Sequence, residues 1–330
     1  MKTLHSVEET SGLIQDGKTL LLAGDEALLA ALPKGNWIGG TIPYFMGDEG
    51  GITTKEKIHV RELEDSNKLQ SIRAYGAEEL SAIPEGYAEN GVSFIIVPAF
   101  SEAHVGFAKN AMSFDGIFDS PLVGWVSGVH LDEFGEGKVP KVYNGLSGEE
   151  NENKAVVMHT SLPDDTYAKI EIINIFSDEG ATDVITFPTD GNVVTECKVN
   201  GETTTLADYL KKTNHDVQLP LIGDFMSAKL NVSIQTVDEE KKEVVLYAPV
   251  FSDIEYKLSK PVADYATAFA NRLETVMSLE AGFTCNCVLN FLYGNLEGKK
   301  TGKMTGPMTF GEIAYMLLNQ TLVYCEYLKK

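Results

Sequence analysis

Apolar positions along this chain come in short runs, with polar punctuation between them. Thr19 to Ala23, Val92 to Val97 (VSFIIV) and Ala155 to Leu162 are apolar stretches that read as buried strands. His5 to Ile14 has helical spacing, and Ser6 with Glu9 has the spacing of a capping box, in which each side chain satisfies the other's backbone donor. Asp25 caps a short apolar helix running to Leu32. Trp37 to Phe45 reads as one strand whose Gly39-Gly40 pair permits a bulge or a close backbone approach. Ile58 to Leu63 alternates and is expected to form a hairpin with it. Leu69 to Ile83 has helical spacing broken near Gly76. Ser101 to Met112 is a helix with Ser101 as N-cap, and Leu122 to His130 is a glycine-interrupted strand.

The pattern then becomes richer in strands. Lys169 to Phe176, Val184 to Phe187 and Val193 to Val199 alternate, and Asn200-Gly201 is a turn signal. Thr205 and Asp208 repeat the capping-box spacing before a helix from Leu206 to Lys212. Lys229 to Val237 and Glu243 to Val250 form a hairpin, and Pro261 stands at the start of a helix from Val262 to about Leu279. An apolar strand carrying Cys285 and Cys287, a lysine-bearing link and a closing strand from Gln320 to Leu328 complete the chain. A weak repeat runs through residues 36 to 63, 122 to 145 and 302 to 328. Each places glycine-broken strands before an acidic turn and a second strand, as convergent hairpin chemistry or internal duplication would.

These elements predict an α+β fold of two related lobes, 1–165 and 166–330, each a largely antiparallel sheet with flanking helices. The length of 330 residues suits two such units. The formal net charge of -21 repels a phosphate backbone, and the lysine clusters are short, so no nucleic acid partner is expected. No apolar run approaches the ~20 residues of a bilayer span, so no membrane insertion is expected. Four cysteines are too few for a disulfide scaffold of this size, and no targeting segment is evident. A cytoplasmic location with free thiols follows as the expectation.

The second half is similar in its order of motifs to the FIST family, a bacterial sensory module with N- and C-terminal parts. The resemblance lies in Cys197-Lys198-Val199-Asn200-Gly201-Glu202, the Leu206 to Leu210 helix, Leu219-Pro220-Leu221, the cysteine strand Phe283 to Val288, Gly306 to Ile313 and Asn319-Gln320-Thr321. Trp37 to Thr41 and Leu122 to Val126 are fainter counterparts in the first half. The family's strand cysteine tends to precede a polar, arginine-bearing turn, whereas Cys287 precedes Val288, Leu289 and Asn290. The resemblance implies a small-ligand sensor, with amino acids as the ligand class, whose signal would leave through a separate signalling protein or an oligomer. Some members use haem, for which His104, His130, His159 or a cysteine would be the axial ligand; the residues themselves call for no cofactor.

Candidate chemistry gathers at few places. Gly39, Gly40 and Thr41 would offer backbone N–H groups to a carboxylate, or would form a bulge. Gly306, Gly311 and Glu312 would shape a ligand-adjacent turn, with Glu312 accepting from an amino group, or would shape a bend with Glu312 in water. Together they suggest a zwitterion pocket between the lobes. Cys285 and Cys287 share one face of a strand, as a thiol pair facing a pocket, as two ligands of a metal, or as two small core residues. The leading expectation is a non-catalytic ligand-binding protein. The alternatives are an enzyme using Cys285 or Cys287 as nucleophile, and a structural protein without a ligand.

Overall fold

The computed structural model describes residues 2–133, 136–225, 228–276 and 281–330. Local signals account for many element boundaries. The Ser6 hydroxyl accepts from the Glu9 N–H at 3.2 Å, and the Glu9 carboxylate accepts from the Ser6 N–H at 2.8 Å, so Val7–Gln15 starts on a complete capping box. Asp25, Ser101 and Thr205 cap Glu26–Ala30, Glu102–Asn110 and Leu206–Thr213 by accepting a first-turn backbone N–H, without the reciprocal bond. Asn200 and Gly201 both take positive φ, 51° and 85°, and turn Glu196–Val199 back onto Glu202–Thr205.

Three segments, 4–62, 68–161 and 166–329, repeat one order of elements. Each opens with a strand: Leu4–His5, Lys68–Tyr75 or Thr166–Ile173. A helical element follows: Val7–Gln15, Ala77–Gly86 or Tyr265–Val276. Next comes a strand–helix–strand unit. In the first segment this is Leu20–Gly24, Glu26–Ala30 and Trp37–Thr41. In the second it is Gly91–Pro98, Glu102–Asn110 and Leu122–Ser127. In the third it is Ala281–Cys287, Val288–Tyr293 and Gly306–Thr309. The two strands of each unit are parallel neighbours; among the described residues the other strand pairings are antiparallel. A helix between two strands is what a parallel connection requires.

Each segment then makes a hairpin and a closing strand. The closing strands Ile58–Glu62, Ala155–Ser161 and Leu322–Lys329 return beside the first strand of their own parallel pair. The hairpins do not stay at home. Tyr44–Gly47 of the first segment pairs with Gly306–Thr309 of the third. Glu312–Ala314 of the third pairs with Leu122–Ser127 of the second. Val142–Asn144 of the second pairs with Trp37–Thr41 of the first. The result is three six-stranded sheets that share one strand order, two of them built from both sides of residue 165. The weak sequence repeat at 36–63, 122–145 and 302–328 marks equivalent positions in these sheets. The repetition is therefore threefold in the sheets, where a two-lobe duplication was expected.

The third segment carries an insertion after its first strand, between Ile173 and Tyr265. It contains a six-stranded antiparallel sheet and the three-stranded sheet of Gly191–Val194, Glu243–Val250 and Ile234–Asp238. Its apolar core, built on Leu206, Leu221, Val244 and Tyr256, is separate from the core shared by the three segments.

Several local expectations are corrected. Leu69 to Ile83 is not helical throughout: Lys68–Tyr75 is a sheet strand held by Ala155–Ser161, and Ala77–Gly86 is a 3-10 helix. Trp37 to Phe45 is two strands in two different sheets, broken at Ile42-Pro43. Ile58–Glu62 pairs with Leu20–Gly24 and Leu4–His5, whereas Tyr44–Gly47 takes Gly50–Thr53 as its hairpin partner. The expected helix end at Leu279 lies outside the described residues. Among the described residues no helix is long and apolar enough to cross a membrane, which says nothing of strands that cross as a barrel.

Gly40 sits where these sheets meet. A Cβ there would lie 2.6 Å from the Trp125 ring and 2.7 Å from Ile96, both buried. Gly40→Ala is expected to destabilise by about 1–3 kcal/mol through overpacking. Gly12→Ala, in an open position of the first helix with nothing within 4 Å, is expected to stabilise by about 0.5–1 kcal/mol. Urea unfolding of the two variants measures both signs.

Candidate functional site

The residues singled out by their chemistry lie in packed sheet. Gly39 and Gly40 pair with Leu22 and Ala23 on one side and with Tyr143 and Val142 on the other. The strand is interior, so its amides serve the ladder. The Thr41 hydroxyl accepts from the Lys141 N–H at 2.9 Å. A Cβ on Gly306 would lie 2.5 Å from the Thr284 carbonyl, and one on Gly311 would lie 3.0 Å from Leu317. The cavities that reach Cys285 with Gly306, and Thr41, measure about 10 and 20 Å3. That is room for about one water each.

The structure does bring Glu312 and a cysteine together. Glu312 is fully buried. One carboxylate oxygen accepts from the Thr321 hydroxyl at 2.7 Å and the Thr321 N–H at 3.1 Å, and Thr309 Oγ1 lies 3.5 Å from the other. Burial raises the Glu312 pKa to about 8, against the lowering effect of hydrogen bonds from Thr321, Cys287 and Thr309. Cys287 is the cysteine at Glu312; the Cys285 thiol instead donates to the Gly124 carbonyl at 3.4 Å. Both thiols are buried, and burial together with the Glu312 charge pushes them well above their ordinary value. Neither is a thiolate near neutrality, so a cysteine nucleophile finds no support.

The histidines are also accounted for locally. His159 is buried, with Ser93 Oγ 2.8 Å from Nδ1 and the Tyr75 hydroxyl 3.2 Å from Nε2, so both ring nitrogens are engaged. His130 stacks on Tyr44, and its Nδ1 accepts from the Asp132 N–H. His104 differs. Its Nδ1 accepts from the Phe100 N–H at 3.2 Å, which leaves the ring proton on Nε2, and that buried N–H has no partner. Burial lowers the His104 pKa to about 4 and keeps the ring neutral.

His104 stands in the wall of a cavity of about 330 Å3 that the candidate residues do not reach. One wall is the helix Glu102–Asn110 and the turn before it, where Phe100 takes a positive φ of 64° and packs edge-on against Phe310. A second wall is the helix Val288–Tyr293, with Val288, Leu289, Leu292 and Tyr293. The third is the insertion, through Leu246, Tyr247 and Pro249 of Glu243–Val250. Burial raises the Tyr247 hydroxyl to about 12, so it remains a neutral donor. Apolar surface stays uncovered at this place: Phe100, Val105 and Leu131 are 49%, 47% and 37% exposed. A more open depression of about 410 Å3 lies on the insertion, but its acids are already paired, Glu179 with Lys260 and Asp183 with Asn200 and Tyr209.

Sequence reasoning missed this cavity. The available signal was Val288 to Tyr293 (VLNFLY), apolar but for Asn290, which reads as a continuation of the cysteine strand. It is a helix whose inner side packs on the core and whose outer side lines the cavity.

The chain belongs to the family DUF6976. This is a family of unknown function, and its profile matches residues 5–327. The matched span runs through all three segments and the insertion, and so through every wall of the cavity. No curated protein and no solved structure matches the chain.

Two measurements check the buried chemistry. All four cysteines are buried thiols, so iodoacetamide at neutral pH is expected to label the native protein far more slowly than the unfolded chain; fast native labelling would restore the nucleophile reading. Glu312 has a folded pKa above its ordinary 4.5, so its contribution to stability is complete below that value and is lost as pH rises through about 8. The histidines His59, His104 and His159, lowered to about 3 or 4 from 6.5, act on the acid side instead. The melting temperature of the natural protein relative to that of Glu312→Gln is thus expected to fall as pH rises from about 6.5 to 8. Parallel curves would show that Glu312 is ionised throughout.

Proposed function

We propose that this DUF6976 chain is a non-catalytic binding protein for a small ligand with a predominantly apolar body. The observation that carries the reading is the cavity of about 330 Å3 between the helices Glu102–Asn110 and Val288–Tyr293 and the insertion. Its volume lies within the ~300–1,000 Å3 of small-molecule sites, and its lining has the usual composition, apolar with a few polar groups. The exposed Phe100 and Val105 at its wall support the same reading, since uncovered apolar surface next to a cavity is where a ligand gains most from leaving water.

The FIST resemblance implies a sensor whose ligand is an amino acid. The cavity favours a different ligand class, because no acid among the described residues lines it to take an ammonium group. A sensory role fits this position well. An occupant would touch the second segment, the third segment and the insertion at once, and would bias any equilibrium in which those parts shift.

N-phenyl-1-naphthylamine, an uncharged fluorescent probe, tests the reading. It is expected to bind with one-to-one stoichiometry and enhanced emission. Val105→Trp and Ala108→Trp, which place a large ring in the cavity, are expected to weaken binding about tenfold or more, equivalent to ~1.4 kcal/mol of lost contact. Val105 is 47% exposed, so its variant should fold normally, as circular dichroism would show. Full-strength binding by both folded variants would place the ligand elsewhere.

A further inference from the structure

The cavity is unbalanced in charge relative to the chain that forms it. The chain has 48 acidic residues against 27 basic ones. No aspartate or glutamate lines the cavity, and Lys109 is its one charged lining residue among those described. Lys109 is exposed, lies in the last turn of Glu102–Asn110 and has no ion pair among the described residues. Many of the other lysines are paired, among them Lys18, Lys55, Lys141 and Lys260. Five residues back on the same helix stands His104, whose Nε2–H is buried without an acceptor. Among the described residues the cavity thus presents donors and an unpaired cation, and no carboxylate to pair with an ammonium group.

We infer that the cavity takes an amphiphilic monocarboxylate. Its apolar chain or ring lies among Val288, Leu289, Leu292 and Phe310, and its carboxylate meets the Lys109 ammonium. The inference rests on the binding reading above and adds the chemical class of the ligand. A carboxylate suits the site for two physical reasons. An ammonium beside low-dielectric apolar wall attracts an anion more strongly than one surrounded by water. The lysine stem can also lie along the apolar body while its charged head stays hydrated. His104, neutral, adds a donor to the wall without a second charge.

Displacement of N-phenyl-1-naphthylamine from the full chain by decanoate, decanol and decylamine separates the possibilities. Decanoate is expected to displace the probe at the lowest concentration and decylamine at the highest. Lys109→Gln is expected to weaken decanoate by about threefold or more, in the range of an exposed ion pair, while leaving decanol unchanged. Added salt should erode the decanoate advantage in the natural protein and not in the variant. Equal displacement by decanoate and decylamine, or a Lys109→Gln effect shared by decanol, overturns the monocarboxylate while displacement by decanol upholds the cavity as a binding site. If none of the three displaces the probe and Val105→Trp leaves it bound, the binding reading and this inference fall together.

Discussion

Each of the three parallel strand pairs has one edge that its own segment does not cover. A hairpin from another segment covers it: Tyr44–Gly47 on the third, Glu312–Ala314 on the second, Val142–Asn144 on the first. An uncovered edge is a row of unpaired backbone donors and acceptors, so closing it is a requirement of the fold. Because the hairpins are exchanged in a ring, no segment completes its sheet alone. The three cores merge for the same reason, and Ile38, Trp125 and Met308, one from each segment, belong to one continuous apolar cluster.

That exchange explains the most unusual polar group in the core. Glu312 lies on an exchanged hairpin, opposite Trp125, and is carried fully into the interior. An ionised carboxylate there would lack a countercharge, so it is held by donors from Thr321 and Thr309 and by the Cys287 thiol, with its proton favoured. Its surroundings are those of a structural polar group. The same holds for His159, which is hydrogen-bonded at both nitrogens between two sheet strands. Chemistry-bearing residue types are therefore a poor guide to function in this chain, because several of them serve the core.

The cavity arises where the threefold pattern is broken. Only the third segment carries a long insertion between its first strand and its helix, and the insertion's strand Glu243–Val250 lies across from the helices Glu102–Asn110 and Val288–Tyr293. A regular third segment would leave those helices in water. With the insertion they become two walls of a partly open apolar cleft, with a neutral histidine in one wall and a lysine at the end of the same helix. The departure from the repeat thus supplies the third wall of the cavity.

What the sequence determined by itself is local. Ser6 with Glu9, Asp25, Ser101 and Thr205 mark helix starts because a cap needs only residues a few positions apart. Asn200-Gly201 marks a turn because few residues accept two positive φ angles in succession. The continuous apolar runs mark interior strands. Even the threefold repeat left a trace in the glycine-broken strands. Tertiary structure decided the rest. Leu69 to Tyr75 has apolar spacing that suits a helix, and only pairing with Ala155–Ser161 makes it a strand. Trp37 to Phe45 is one apolar stretch whose two halves enter different sheets. Gly39, Gly40 and Glu312 have the right chemistry for a ligand, and the sheets place them inside. Side-chain periodicity along a chain encodes which face is buried, but not which distant strand or helix will cover it. The exchanged hairpins and the cavity consist of such distant partners, and so they exist only in the folded molecule.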